Sequence, residues 1–173
     1  MIDLLPSAEQ QQIIDSVAAF LAAELPLARL RPGSDGERSG DICISAELWQ
    51  RMAGLGWFGL GIPEGRGGAG LTVVEEMLLA REVGRYAASP AIAATIAAAH
   101  LAVRGDRDLL ENLVAGKQRV AIASRLCAGS DECHLLDARG AGYCLVVDGS
   151  EARLYGTAAF DEVRAVISLD DAI

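Results

Sequence analysis

At 173 residues with a formal charge of −9 and an isoelectric point near 4.7, the chain is long enough to bury a substantial core. It is too acidic for broad electrostatic binding to nucleic acid or to an anionic membrane surface, both of which reward clustered Lys and Arg; a polyphosphate ligand would need a local basic pocket. Hydrophobic residues make up 51% but aromatics only 5%, so much of the apolar content is Ala, which suits closely packed helices.

Ser7 and Gln10 form a capping box, and Ile13, Ile14, Val17, Phe20 and Leu21 recur at helical spacing until Pro26. The polar, Gly-marked RPGSDGERSGD from Arg31 reads as an exposed connection. Ser45 caps a second helix carrying Leu48, Trp49, Met52 and Leu55, with Gly56 as its stop. There follows LGWFGLGIPEGRGGAG, residues 55 to 70, too rich in Gly for a helix interior and broken by Pro63. Thr72 and Glu75 form another capping box and open a third helix that reaches about Tyr86. Ser89-Pro90 starts an Ala-rich fourth helix to Val103, and Asp106 caps a fifth that Gly116 ends.

After Lys117 the period changes. RVAIAS, CHLLDA, GYCLVVDG, ARLYG and VRAVISL are short, apolar and separated by Gly, Asp or Ser turns, the pattern of antiparallel strands. Helices first and strands second predict an α+β fold: a helical bundle over 1–117, then a partial antiparallel β domain over 118–173. No apolar stretch is long enough to span a bilayer, and MIDLLPSAEQ lacks the basic start of a secretory signal, so the expected location is the cytoplasm.

Three patterns are candidates for chemistry. Gly65, Gly67 and Gly70 match the G-x-G-x-x-G of a dinucleotide loop, but the preceding GWFGLGIPE is no parallel strand and no acidic strand end follows at the needed distance. The competing reading is a turn where helix backbones approach closely. Cys43, Cys127, Cys133 and Cys144 contain no Cys-x-x-Cys pair, and Cys127, Cys133, His134 and Cys144 fit no common zinc spacing, so reduced thiols and no metal are expected. Glu75 and Glu76 open a helix where carboxylates favour the dipole, Glu64 ends a loop, and His100 reads as a packed or surface imidazole rather than a base. Trp57 and Phe58 read as core.

Residues 55 to 85, LGWFGLGIPEGRGGAGLTVVEEMLLAREVGR, resemble the N-terminal helical domain of the acyl-CoA dehydrogenase family: a Leu-Gly-Trp-x-Gly-Leu run, Ile-Pro-Glu and Gly-Gly-x-Gly precede a helix ending in Glu-x-Gly-Arg. The resemblance extends upstream to the first helix and downstream to IASRLCAGSDE. It implies α,β-dehydrogenation of an acyl thioester, carried on coenzyme A or on a carrier protein. FAD takes hydride from the β-carbon, a carboxylate takes the α-proton, and hydrogen bonds to the thioester carbonyl acidify that proton.

By the same resemblance, Ala123 and Ser124 fall where the family faces the flavin ring, and Gly129 and Ser130 where it meets the acyl thioester. Arg125 and Leu126 stand in place of the family's Glu and Pro, and the later Gly-x-Lys-x-Trp-Ile-Thr strand has no counterpart. The helix from Ser89 to Val103 corresponds to one lining the acyl pocket; its small side chains either leave room for a bulky acyl group or are taken up by tight packing. The family's C-terminal four-helix domain, which supplies the catalytic Glu, lies beyond Ile173, so no catalytic residue is expected within these residues. The expectation is a flavoprotein component that works with another acyl-CoA dehydrogenase-type subunit or a further C-terminal part, the alternative being a noncatalytic, stabilising partner in such a heteromer.

Overall fold

The computed structural model describes residues 5–30, 44–125 and 132–160. Among these, helices α1 (Ala8–Glu24), α2 (Ala46–Gly54), α3 (Val73–Arg85), α4 (Ala91–Ala102) and α5 (Arg107–Val114) come first, and strands β1 (Val120–Arg125), β2 (Cys133–Leu136), β3 (Tyr143–Asp148) and β4 (Glu151–Gly156) follow. VRAVISL lies outside the described residues. Each helix starts where a short polar side chain satisfies first-turn amides that have no partner within the helix. Ser7 and Gln10 exchange bonds at 3.2 and 3.0 Å, Ser45 Oγ accepts from Leu48 at 3.1 Å, Thr72 Oγ1 from Val74 at 3.2 Å and Asp106 Oδ1 from Leu109 at 2.9 Å. Gly56 and Gly116 stop α2 and α5 in the left-handed region, at φ 79° and 68°, where a side chain would be strained.

The sheet order is β2-β1-β3-β4. The outer pairs, β1 with β2 and β3 with β4, are antiparallel as expected, whereas the central pair β1 and β3 is parallel. Successive strands do reverse direction. The parallel pair arises because β2 and β3 lie on opposite sides of β1, the link from Asp137 to Gly142 carrying the chain across the start of β1, where Gly142 N–H donates to Arg119 O at 3.2 Å. Turn residues read from sequence report reversals and say nothing about which side of its predecessor the next strand takes.

Two apolar clusters organise the helices. The first gathers Val17 and Leu21 of α1, Trp49 and Met52 of α2, Leu79 and Val83 of α3, and Ile92 and Ile96 of α4 around Trp57 and Phe58. Trp57 meets Phe20 edge-on with ring centroids 5.2 Å apart, and Phe58 stacks on Trp49 at 4.5 Å, contacts worth about 0.5–1.5 kcal/mol each beyond the area they bury. Both aromatics are core, as expected. The second cluster joins Ala94, Ala98, Ala99 and Ala102 of α4 to Leu110 and Leu113 of α5 and to Val120 and Leu145 of the sheet. Helix α4 is therefore apolar on nearly every side because it is covered on nearly every side. Its Ala residues permit close approach to the strands, so tight packing consumes most of the small side chains; Ala93 stays exposed.

Polar contacts fasten the sheet to the helices. Buried Val120 N–H donates to Thr95 Oγ1 at 3.2 Å, Ser89 Oγ donates to Asp137, and Arg119 donates to the carbonyls of Ile44 and Ser45 at 2.8 and 2.9 Å. No helix among the described residues is long and apolar enough to cross a membrane.

Candidate functional site

The Gly-rich loop does not cradle phosphate. A phosphate loop needs several backbone N–H groups left free and convergent. Here five consecutive amides are consumed within the loop: Gly67, Gly68, Ala69, Gly70 and Leu71 donate to the carbonyls of Glu64, Pro63, Gly59, Ile62 and Leu60 at 2.9, 3.3, 2.9, 2.8 and 2.9 Å. A Cβ at Gly68 would lie 2.1 Å from Ile62 O and 2.6 Å from Gly59 O, and one at Gly61 would lie 2.5 Å from Glu76 Oε1. Backbone and carboxylate occupy the space that side chains would need. The turn reading is the one the structure supports.

The carboxylates near the loop are also committed. Glu75 accepts from Thr72 N–H at 2.9 Å, from the Thr72 hydroxyl at 2.5 Å and from Gln10 Nε2 at 2.8 Å. These bonds, the Thr72 hydroxyl foremost, lower its pKa to about 2. Glu76 is buried and does more than favour the helix dipole: it accepts from Gly61 N–H at 2.9 Å and from His100 Nε2 at 2.8 and 2.9 Å. The pair ties α3, α4 and the loop together across 24 residues of sequence, a separation at which no local pattern reveals it. Glu82, fully buried, holds Arg81 and Arg85 at 3.0 and 3.1 Å. Glu64 is exposed beside the loop.

The open surface lies at the far end of β1. Directly paired residues share a face of a sheet, so the register Ile122 with Leu136 and Ser124 with His134 puts all four on one side. Ile122 also pairs with Leu145, which places Val147 on that side too. Near the start of β1 this face is covered by α4 and α5. Beyond their reach Ser124 and His134 are exposed, and Leu136 and Val147 are 50% and 63% exposed. The result is a shelf of two apolar side chains, one hydroxyl and one imidazole, a surface on which a flat, partly polar group can lie. Ala123 faces the other way, into the cluster of Ala121, Cys144 and Val146. Arg125, at the β1 terminus, pairs with Asp148 at 3.7 Å.

Gly129, Ser130 and Cys127 lie outside the described residues, as does Cys43. Cys133 and Cys144 are free thiols on the far face of the sheet, and burial raises the Cys144 pKa. His134, next to Cys133 on the strand, takes the opposite face, so these three do not converge on one point. Among the described residues no group of three or more His, Cys, Asp or Glu is placed to hold a metal ion.

Residues 7–115 match the family model for the acyl-CoA dehydrogenase N-terminal domain. The chain belongs to the acyl-CoA dehydrogenase family. Among solved structures it is similar to the FAD complex of PigA (22% identity, TM-score 0.63, covering 90% of this chain and 50% of that one). It is also similar to the ChsE4-ChsE5 complex from Mycobacterium tuberculosis (17%, 0.62, 90% and 49%). A third likeness is to butyryl-CoA dehydrogenase from Megasphaera elsdenii (19%, 0.60, 90% and 50%). At these identities the likeness is one of fold, and the chain spans about half the length of the structures it matches. No curated protein matches it. The acyl-CoA dehydrogenase family model covers the helical part of the chain, and the likeness of fold extends into the sheet.

Proposed function

We propose that this chain provides the helical and sheet portion of a cytoplasmic acyl-CoA dehydrogenase-type flavoprotein that desaturates an acyl thioester, with the base supplied from outside the described residues. The observation that carries the reading is the exposed shelf of Ser124, His134, Leu136 and Val147 on a sheet face that α4 and α5 cover near the start of β1. The shelf fits one face of a flavin: two apolar side chains under the ring system and a hydroxyl able to hydrogen-bond its edge. Bound there, FAD supplies the hydride acceptor. The chain's own part is to hold the ring, keep water from its covered face and orient it by Ser124. Ala123 contributes through its strand position, and Gly129 with Ser130 contact the thioester.

The internal carboxylates support the need for a further part. Glu75, Glu76 and Glu82 are each engaged by two or more donors inside the fold, so a proton-abstracting carboxylate comes from another acyl-CoA dehydrogenase-type subunit or a further helical part. The apolar start of α3 is suited to receive it: Val73, Val74 and Met77, on neighbouring positions of one helix face, are 63%, 48% and 59% exposed.

The test is flavin retention and dye-coupled turnover of a panel of acyl thioesters, with and without an acyl-CoA dehydrogenase-type subunit that carries a catalytic helical part. Flavin absorbance and turnover appearing only in the complex, and flavin lost in Ser124→Ala, are the expected results. Turnover by the isolated chain would overturn the division of labour. Turnover by the complex with no flavin on either chain would overturn the cofactor. A complex that binds flavin only through its other subunit and keeps full activity when Ser124 is replaced would favour the stabilising-partner reading.

A further inference from the structure

The open residues of the shelf form one row across the whole sheet. Ser124 pairs with His134 of β2. One step beyond Ala123 with Val146, the last pair of β1 with β3, Ser124 stands beside Val147, and Val147 pairs with Ala152 of β4. The order is therefore His134, Ser124, Val147, Ala152, all exposed, and with strands about 4.8 Å apart the row spans roughly 14 Å. The next row toward the start of β1, Leu136, Ile122, Leu145 and Leu154, is apolar throughout, and α4 and α5 begin to cover it. The open ground is long across the strands and short along them.

The row has a polar half and an apolar half. The Ser124 hydroxyl and the His134 ring have no hydrogen-bond or ion-pair partner among the described residues, whereas Val147 and Ala152 present only carbon. Because side chains alternate along a strand, Arg125, Asp148 and Arg153 take the far face, where Arg125 pairs with Asp148 and Arg153 with Glu151. Glu132, two residues ahead of His134, lies outside β2 and is exposed. The three fused rings of a flavin are divided in the same way, with an apolar benzenoid ring at one end and carbonyls and ring nitrogens at the other. Laid across the strands, its polar atoms meet donors in one direction only, with the carbonyl end over Ser124 and His134.

We propose that His134 holds the polar end of the flavin and sets how readily it accepts hydride, with Val147 and Ala152 fixing which way round the ring lies. The inference rests on the flavin reading of the shelf. In the proposed reaction the C–H bond at the β-carbon breaks with its electron pair, so the thioester is oxidised by two electrons and hydride brings one negative charge to a neutral ring; the α-proton goes separately to the carboxylate. That charge gathers at the carbonyl end. An imidazole facing that end donates a hydrogen bond to it and can hold the compensating positive charge. Ser124 can supply the hydrogen bond but not the charge.

Titration of the full chain with millimolar FMN, oxidised or reduced by dithionite under argon, followed in ¹H–¹⁵N and methyl spectra, tests this. Both forms should shift the amides of His134, Ser124, Val147 and Ala152 and spare the Trp57 indole. The dimethyl end of FMN should show contacts to the Val147 and Ala152 methyls and none to the His134 ring. Reduced FMN should bind more tightly than oxidised FMN. In His134→Ala and His134→Gln that preference should fall by about tenfold, equivalent to a midpoint potential about 30 mV lower, whereas His134→Arg, which keeps a charge, should retain it. Leu136→Ala, which removes only packing, should weaken both forms in equal proportion. Shifts on the shelf with the preference unchanged in His134→Ala, or kept in full by His134→Gln, would overturn the role of His134 and leave the flavin reading standing. Dimethyl contacts at the His134 ring would overturn the orientation. No shift on the shelf with either form would overturn the flavin reading itself, and this inference with it.

Discussion

Gly67 and Gly68 are adjacent, yet glycine is required at each for a different reason. Gly67 has φ 87° and open space around it, so its constraint is backbone conformation. Gly68 has no such φ but no room: its missing Cβ would overlap Ile62 O and Gly59 O. Gly68→Ala should therefore lower stability by about 1–3 kcal/mol or more through overpacking, while Gly65→Ala, at a position with nothing within 4 Å, should stay within about 0.5 kcal/mol of wild type. Denaturant unfolding of the pair separates crowding from slackness. Ala87 is the converse case, a residue with a Cβ at φ 45°; Ala87→Gly relieves that strain and should raise the unfolding midpoint, by less than about 1 kcal/mol because glycine loses more entropy on folding.

At the scale of elements, α3 and α4 are each fixed by a side chain acting far from its own helix. Gln10 of α1 reaches Glu75 of α3, whose carboxyl has its pKa lowered to about 2. The folded-state value is depressed, so the contribution is complete above the unfolded value of about 4.3 and is lost as pH falls from there toward about 2. Glu75→Gln should consequently be less stable than wild type at neutral pH, with the gap closing across that acid window in equilibrium unfolding. Thr95 of α4 accepts from Val120 N–H with both residues fully buried. Thr95→Val keeps the shape and strands the amide, so it should cost about 1–3 kcal/mol; an unchanged midpoint would mean that the sheet edge finds another acceptor. Helix boundaries were legible because Ser7, Ser45, Thr72 and Asp106 act within three residues of themselves. The Glu76–His100 pair was not, because a buried carboxylate one position after a capping box looks from the sequence like more dipole compensation. That Cys133 and Cys144 share a face, with His134 on the other, was hidden for a related reason: spacing along the chain does not announce which residues of different strands share a face until the register is known.

For the whole molecule, the segregation of helices from strands was readable from the change of hydrophobic period at Lys117, and the position of the shelf was readable only as far as Ser124. Leu136, Val147 and His134 join Ser124 through strand register, and the parallel β1–β3 pair that brings in Val147 has no short-range signature. Assembly is the prediction at this scale. If the open face of α3 meets another acyl-CoA dehydrogenase-type subunit, Val74→Asp with Met77→Asp should abolish complex formation in sedimentation velocity while leaving the helix content and unfolding midpoint of the isolated chain nearly unchanged, because both side chains are already in water. Retained assembly would move the interface elsewhere on the surface.

The self-bonded loop also bears on how the chain meets a protease. Arg66 is exposed and flanked by glycines, PEGRGGAG, and by composition it is the kind of sequence that trypsin cuts in a linker. Cleavage needs several consecutive residues to unfold into an extended strand within the enzyme's cleft. Here that requires breaking, together, the hydrogen bonds donated by the backbone amides of Gly67 through Leu71, with Gly68 packed against Ile62. Trypsin should spare the bond after Arg66 for as long as the domain stays folded, and the appearance of that cut in limited digestion would report global opening of the helical core rather than local fraying.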